Sequence, residues 1–98
     1  MNKTKLMKMT KTQLINLAMG KAKAVCKKLK YDFIAVSETM MEAYYTKENF
    51  ASGEELVVFY IYDMKKHKGG EVEINLAEDR FIVRFGGSVK VNGDIPKK

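Results

Sequence analysis

One cysteine and one histidine, Cys26 and His67, are the side chains of this 98-residue chain best suited to nucleophilic or metal chemistry. A cysteine becomes a strong nucleophile beside a base such as histidine, and a structural Cys/His metal site needs about four such ligands. His67 lies in a short basic segment typical of a turn, and Cys26 lies on the apolar side of a predicted helix. The sequence therefore predicts no catalytic residue, no metal site and no cofactor, and we expect a protein that is not an enzyme.

Pairs of acids and pairs of glycines are the next candidates for chemistry. Glu71 and Glu73 alternate along a predicted strand, and the acids at 78–79 are adjacent in a predicted turn. Neither pair is arranged to face a substrate from two sides, as a catalytic acid and base must be. The glycines at 69–70 and 86–87 lack the spacing and the lysine–threonine ending of a phosphate-binding loop. Both glycine pairs are predicted to be turns.

Charge is distributed unevenly along the chain. Residues 1–30 hold nine lysines and no acid, residues 31–63 hold seven acids and one lysine, and residues 64–98 hold eight bases and five acids. The net charge of +6 therefore hides an acidic middle, which would repel a polyanion that the first segment attracts. Lysine outnumbers arginine sixteen to two, although arginine suits bidentate phosphate recognition better.

The first element that positions these residues is a helix predicted to begin at Thr10. Thr10 and Gln13 have the spacing of a capping box. Apolar side chains then recur at intervals of three and four residues, the pattern of a helix with one buried face; they are Leu14, Ala18, Ala22, Val25 and Leu29. The lysines at 23, 27 and 30 fall on the opposite side. We expect residues 1–9 to precede this helix as a basic tail.

The segment from Tyr31 to Glu55 is predicted in three parts. Residues 31–36 indicate a short strand, and Ser37 has the residue type that caps a helix. A second short helix is then predicted around 38–47, with a strand as the alternative because residues 40–46 also alternate between apolar and polar. Asn49 to Glu55 is predicted to be a loop.

The C-terminal half is predicted to form an antiparallel meander from strands at 56–64, 71–76 and 81–86. Its register follows from placing the apolar residues on one face. That requirement pairs Leu76 with Phe81, Ile74 with Val83, Val72 with Phe85, Phe59 with Leu76, and Ile61 with Ile74.

The outward face of this predicted sheet carries Tyr60, Tyr62, Arg80 and Arg84, which would suit stacking and phosphate contacts with single-stranded nucleic acid. In the predicted register Glu73 lies beside Arg84. The arginine then has a carboxylate partner, and the carboxylate would repel a phosphate. We therefore do not predict a nucleic-acid site on this face.

These elements predict an α+β fold in which an N-terminal amphipathic helix packs on an antiparallel β-meander, as one domain at 10–98. No apolar run approaches the roughly 18 residues of a membrane span, and the N-terminus lacks a secretory pattern. A single cysteine agrees with a reducing compartment. We expect a cytoplasmic protein with no membrane contact.

Because the sequence predicts neither catalysis nor a membrane role, we expect the protein to act by binding. The leading hypothesis is a regulator or inhibitor that contacts a basic protein partner, such as a nucleic-acid-handling protein; small phage-encoded or mobile-element regulators have similar size, which supports this by analogy only. The predicted protein-binding residues are Glu38, Glu42, Tyr44, Tyr45, Glu48, Glu54 and Glu55. The alternative is a weak nucleic-acid binder that uses Lys23, Lys27, Lys30, Lys65, Lys66 and Lys68.

Overall fold

A computed structural model describes residues 2–37 and 46–96. Its elements in chain order are α1 (Lys3–Met7), α2 (Lys11–Leu29), β1 (Asp32–Val36), α3 (Lys47–Ser52), β2 (Val57–Asp63), β3 (Lys68–Asn75), β4 (Arg80–Phe85) and β5 (Ser88–Asp94). The strands form one antiparallel sheet in the order β1-β2-β3-β4-β5. Helix α2 packs against β1, β2 and β3. The predicted α+β fold, an N-terminal helix on an antiparallel meander, is confirmed.

Helix α2 begins as its sequence predicts. Thr10 Oγ1 accepts a hydrogen bond from the Gln13 N–H at 3.1 Å, and Gln13 Oε1 accepts one from the Thr10 N–H at 2.8 Å. The helix ends at Lys30, which adopts the left-handed conformation with φ of 64°. Its buried stripe consists of Leu14, Ile15, Ala18, Ala22, Val25 and Cys26.

The core lies between this stripe and the inward face of the sheet. Because side chains alternate along a strand, each central strand contributes every second residue, and seven of these inward residues are at most 6% exposed: Val57, Phe59, Ile61, Val72, Ile74, Phe81 and Val83. Leu6 of α1 and Phe50 of α3 are fully buried in the same cluster. The predicted inward and outward faces of these strands are therefore correct.

The predicted pairing of β3 with β4 is wrong by two residues. Ile74 lies opposite Phe81 rather than Val83. The connection consists of Leu76–Asp79, whereas the predicted pairing places it at 77–80, so the turn is centred one residue earlier than predicted. A hydrogen bond from the Glu78 N–H to Asn75 Oδ1 at 3.0 Å stabilises the turn in this position. Asp79 closes this turn in the left-handed conformation with φ of 57°, which aspartate tolerates better than most residues.

The predicted pairing of β2 with β3 is also wrong. Phe59 lies opposite Val72 rather than Leu76, because Gly69–Gly70 belong to β3 and the turn contains only Met64–His67. The prediction that these two glycines form a turn is thus corrected. Both registers are shifted by an even number of residues. Because side chains alternate between the two faces of a strand, such a shift leaves each side chain on its predicted face.

Gly86–Gly87 do form the turn that the sequence predicts, with φ of 62° and 82°. Positive φ at both central residues is typical of the tight hairpin turn that matches the twist of its strands. The turn leads into β5, a strand that the sequence analysis does not predict. Most of β5 is exposed, including Val89 at 48%. Its sequence therefore lacks the strong alternation of apolar and polar residues that would predict a strand.

Two short helices differ from the predictions. The expected basic tail at 1–9 contains α1, which Asn2 caps and Leu6 anchors in the core. Helix α3 occupies part of the predicted loop at 49–55, because Phe50 and Ala51 are fully buried and Thr46 caps the helix start. Residues 38–45, which form most of the helix predicted around 38–47, lie outside the described residues.

Candidate functional site

The structure keeps the two candidate catalytic side chains apart. Cys26 is 3% exposed in the core, and burial, helped by the nearby charge of Asp32, raises the pKa of its thiol to about 11. A raised pKa suppresses the reactive thiolate. His67 is exposed in the β2–β3 turn. Across residues 2–37 and 46–96, no group of His, Cys, Asp or Glu side chains could hold a metal ion.

The predicted protein-binding residues fall into two sets. Glu38, Glu42, Tyr44 and Tyr45 lie outside the described residues. Glu48, Glu54 and Glu55 lie on α3 or just after it, where Gly53 approaches the Asn75 side chain at one end of the sheet. Glu48 is in the first turn of α3, where a carboxylate stabilises the helix dipole.

The lysines predicted for nucleic-acid binding also divide in two. Lys23, Lys27 and Lys30 are exposed. Lys23 and Lys27 share one ridge of α2, because residues four apart lie on the same helix face, and Lys30 is the left-handed residue that follows the helix. Lys23 Nζ lies 5.4 Å from the centroid of the Phe33 ring, within range of a cation–π contact. The second set, Lys65, Lys66 and Lys68, is exposed in and beside the β2–β3 turn.

The sheet face opposite α2, on which the sequence places Tyr60, Tyr62 and Arg84, contains a groove that the sequence does not predict. A groove of about 580 Å³ crosses β1 to β4 there. We call it the open-face groove, and its lining includes Ile34, Tyr60, Tyr62, Gly69, Glu71, Arg84, Gly86 and Gly87. Ile34 is 57% exposed and Tyr60 is 41% exposed, so the groove presents apolar surface to solvent.

Glycine creates the hollow of this groove. Gly69 lies two residues before Glu71 in β3, so both residues are on the outward face of the sheet. A Cβ built on Gly69 would meet nothing within 4 Å. Gly69 lies opposite Tyr62, and Gly86 and Gly87 also lack side chains. The signal that could have found the groove is therefore a glycine at an outward strand position, which the incorrect turn prediction concealed.

The charges in the open-face groove are only partly paired. Arg84 Nε donates to Glu73 Oε2 at 2.9 Å, and Arg84 Nη1 donates to the Gly87 carbonyl at 3.3 Å. The predicted contact between Glu73 and Arg84 is thus present, although it runs diagonally between strands. The Glu71 carboxylate has no hydrogen bond or ion pair within the described part of the chain. The Glu71 carboxylate therefore places a negative charge without a partner among the described residues beside the apolar surface of the groove.

Comparison with known proteins adds no relative: no protein-family model, curated protein or solved structure matches the chain significantly. Among the described helices, none is both long and apolar enough to cross a membrane.

Proposed function

We propose that this chain is a small non-enzymatic binding protein that regulates or inhibits a protein partner through the open-face groove. The observation that carries the proposal is the apolar surface of Ile34 and Tyr60 on a sheet face that α2 leaves open. Covering apolar surface is favourable, and exposed apolar patches rimmed by polar residues mark protein interaction sites. Tyrosine is also enriched at the centre of such interfaces.

The chemistry of the groove selects a basic partner. A lysine or arginine of the partner can pair with the free Glu71 carboxylate and lie against the Tyr60 ring, combining a charge-assisted hydrogen bond with a cation–π contact. An apolar side chain next to that cation can then cover Ile34. The proposed occupant is thus a protein segment with a basic residue beside an apolar one, which basic nucleic-acid-handling proteins of the cytoplasm would offer.

Glu48, Glu54 and Glu55 lie outside the open-face groove. Those residues lie near Asn75, whereas the groove lies near Gly69, six residues along β3; that separation is roughly 20 Å. The acids are better placed to speed association with a basic partner than to form the buried contact.

A selection from a displayed library of random peptides tests the proposal. We expect the wild-type chain to enrich peptides that carry lysine or arginine next to an apolar residue. Ile34→Asp and Glu71→Lys should abolish their binding. Ile34 is exposed, whereas Glu71 is half-buried on the outward face directly opposite Arg84. Because like charges opposite each other destabilise a sheet, Glu71→Lys should lower the free energy of unfolding by up to about 1 kcal/mol while the fold is retained.

Two matched variants serve as controls. Asn16→Asp adds the same charge at an exposed position of α2, on the other side of the sheet, and Glu78→Lys reverses an exposed acid of the β3–β4 turn. Both should bind the selected peptides like wild type. Enrichment of acidic peptides, or equal loss in the controls, would contradict the groove as the site.

The second candidate function is nucleic-acid binding, favoured by the lysine ridge on α2. Six phosphate contacts, from Lys23, Lys27, Lys30 and the turn lysines, would give a log–log salt dependence with a slope of about −5. We expect only weak, non-specific DNA binding that disappears by about 200 mM salt. Sub-micromolar binding at physiological salt with that slope would place this function first.

A further inference from the structure

A small cationic cavity lies on the helix side of the sheet, at the end that holds the β2–β3 turn. It has a volume of about 210 Å³ and is lined by Asp63, Lys66, Lys68, Phe85 and Lys90. Strand alternation places three of these side chains on one face; Lys66 lies in the β2–β3 turn, and Lys90 lies where the pairing of β4 with β5 shifts register. Asp63 follows the inward Ile61 by two residues, and Phe85 follows the inward Val83 by two. Lys68 likewise precedes the inward Val72 by four residues, so it shares their face.

The ring of Phe85 forms an apolar wall of the cavity, and its neighbours hold it in place. The Phe85 ring lies 5.3 Å from the Tyr31 ring in an edge-to-face arrangement, and Phe85 closely approaches Gly70, where any Cβ would lie 2.5 Å from the Phe85 Cδ1 atom. These contacts fix the ring from two sides. A charge beside this wall is screened less than a charge in open water.

The three lysines repel one another without sufficient compensation. The nearby Lys66 side chain lowers the pKa of Lys90 from its ordinary value; the charge of Lys68 acts in the same direction and that of Asp63 in the opposite one. Asp63 Oδ1 already accepts hydrogen bonds from the N–H groups of Lys65 and Lys66, at 3.0 and 3.3 Å. One carboxylate against three ammonium groups leaves two positive charges in excess.

We propose that Lys66, Lys68 and Lys90 form a binding site for a phosphate dianion, either inorganic phosphate or a phosphate monoester. A monoester carries close to two negative charges at neutral pH, which matches the excess. A nucleic-acid phosphodiester carries one, so a polynucleotide would balance the site less well. Lysine ammonium groups are effective point-charge partners for phosphate oxygens. This site is separate from the open-face groove, which lies on the other side of the sheet.

The test is an NMR titration of the whole chain with inorganic phosphate at constant ionic strength. We expect saturable shifts of the amide signals of Lys66, Lys68 and Lys90, and at least tenfold weaker binding of phosphate by Lys90→Gln and by Lys66→Gln. Both substitutions replace exposed residues and relieve repulsion, so the fold should be retained. Lys27→Gln, on the α2 ridge, is the matched control and should bind phosphate like wild type.

Two further probes identify the source of the anion. Phosphoserine should bind as phosphate does if monoesters enter the site, whereas failure of phosphoserine alongside phosphate binding would assign the site to the free ion. Dimethyl phosphate, a diester with one charge, should bind at least tenfold more weakly. Equal binding of dimethyl phosphate, unsaturable shifts spread over all lysines, or wild-type affinity in Lys90→Gln would overturn the proposal.

Discussion

Gly69 and Gly70 are neighbours in β3, and strand alternation gives them opposite surroundings. Gly69 faces the open-face groove with free space around it, whereas Gly70 faces inward against Phe85 and the Arg84 carbonyl. The sequence shows two identical residues and favours a turn at both. Their distinct roles depend on the register of β3, which local patterns do not determine because an even shift preserves every apolar contact face.

Matched alanine substitutions test these two positions. A Cβ at Gly70 would lie 2.5 Å from the Arg84 carbonyl oxygen, so Gly70→Ala should lower the free energy of unfolding by about 1–3 kcal/mol, as overpacking does. Gly69→Ala should change it by no more than about 0.5 kcal/mol. Urea denaturation measures both values. Equal destabilisation by the two substitutions would show that β3 has a different register.

Burial of Cys26 gives stability a specific dependence on pH. The pKa of the thiol rises from 9.0 to about 11 on folding, so between these values the folded protein keeps a proton that the unfolded chain loses. The thiol's contribution is therefore complete below pH 9 and decreases as the pH rises towards 11. The loss should be on the order of 2 kcal/mol.

Urea unfolding across this pH range, with Cys26→Ala as the control, isolates that contribution from the titration of lysines and tyrosines. We expect the difference in stability between wild type and Cys26→Ala to shrink with rising pH. The same difference at every pH would mean that the thiol is not shielded from water.

Helix α2 is the element that the sequence predicts best, because its start and its buried face are both encoded locally. The capping box needs only Thr10 and Gln13, and the apolar stripe needs only helical spacing. Helix α3 has the Thr46 cap and the left-handed Gly53 at its ends, but its six residues are too few to show a helical apolar period. Strand β5 has no strong alternation of apolar and polar residues. Burial of Phe50 stabilises α3, and pairing with β4 forms β5, so both depend on the assembled fold.

The cap of α2 can be tested with two threonines of the same segment. Thr10→Ala removes the acceptor of the Gln13 N–H and should lower the free energy of unfolding by about 1 kcal/mol. Thr12→Ala lies inside the helix at an exposed position, where alanine is the better helix former, and should be neutral or stabilising. Thermal unfolding followed by circular dichroism compares the two. A Thr10→Ala protein as stable as wild type would contradict the cap.

At the scale of the whole molecule, the sequence predicts the fold class and the identity of most core residues but not the two surfaces that we propose as binding sites. The meander topology follows from short connections between consecutive strands. The open-face groove requires side chains and glycines from β1 to β4 to meet on one face, and the phosphate site requires Lys90 of an unpredicted strand. The uneven charge of the sequence favoured the acids after residue 37, the helix lysines and the turn lysines, of which only Lys66 and Lys68 belong to either proposed site.

Photo-crosslinking inside the native cell tests the central claim, contact with a protein through the open-face groove, most directly. A photoreactive phenylalanine derivative replaces Tyr60 in the groove, Glu54 near α3, or Lys27 or Asn16 on α2, one position at a time. We predict a discrete protein adduct from position 60 that Glu71→Lys removes, and no adduct from position 16. Adducts from position 54 alone, or nucleic-acid adducts from position 27 with none from position 60, would contradict the account.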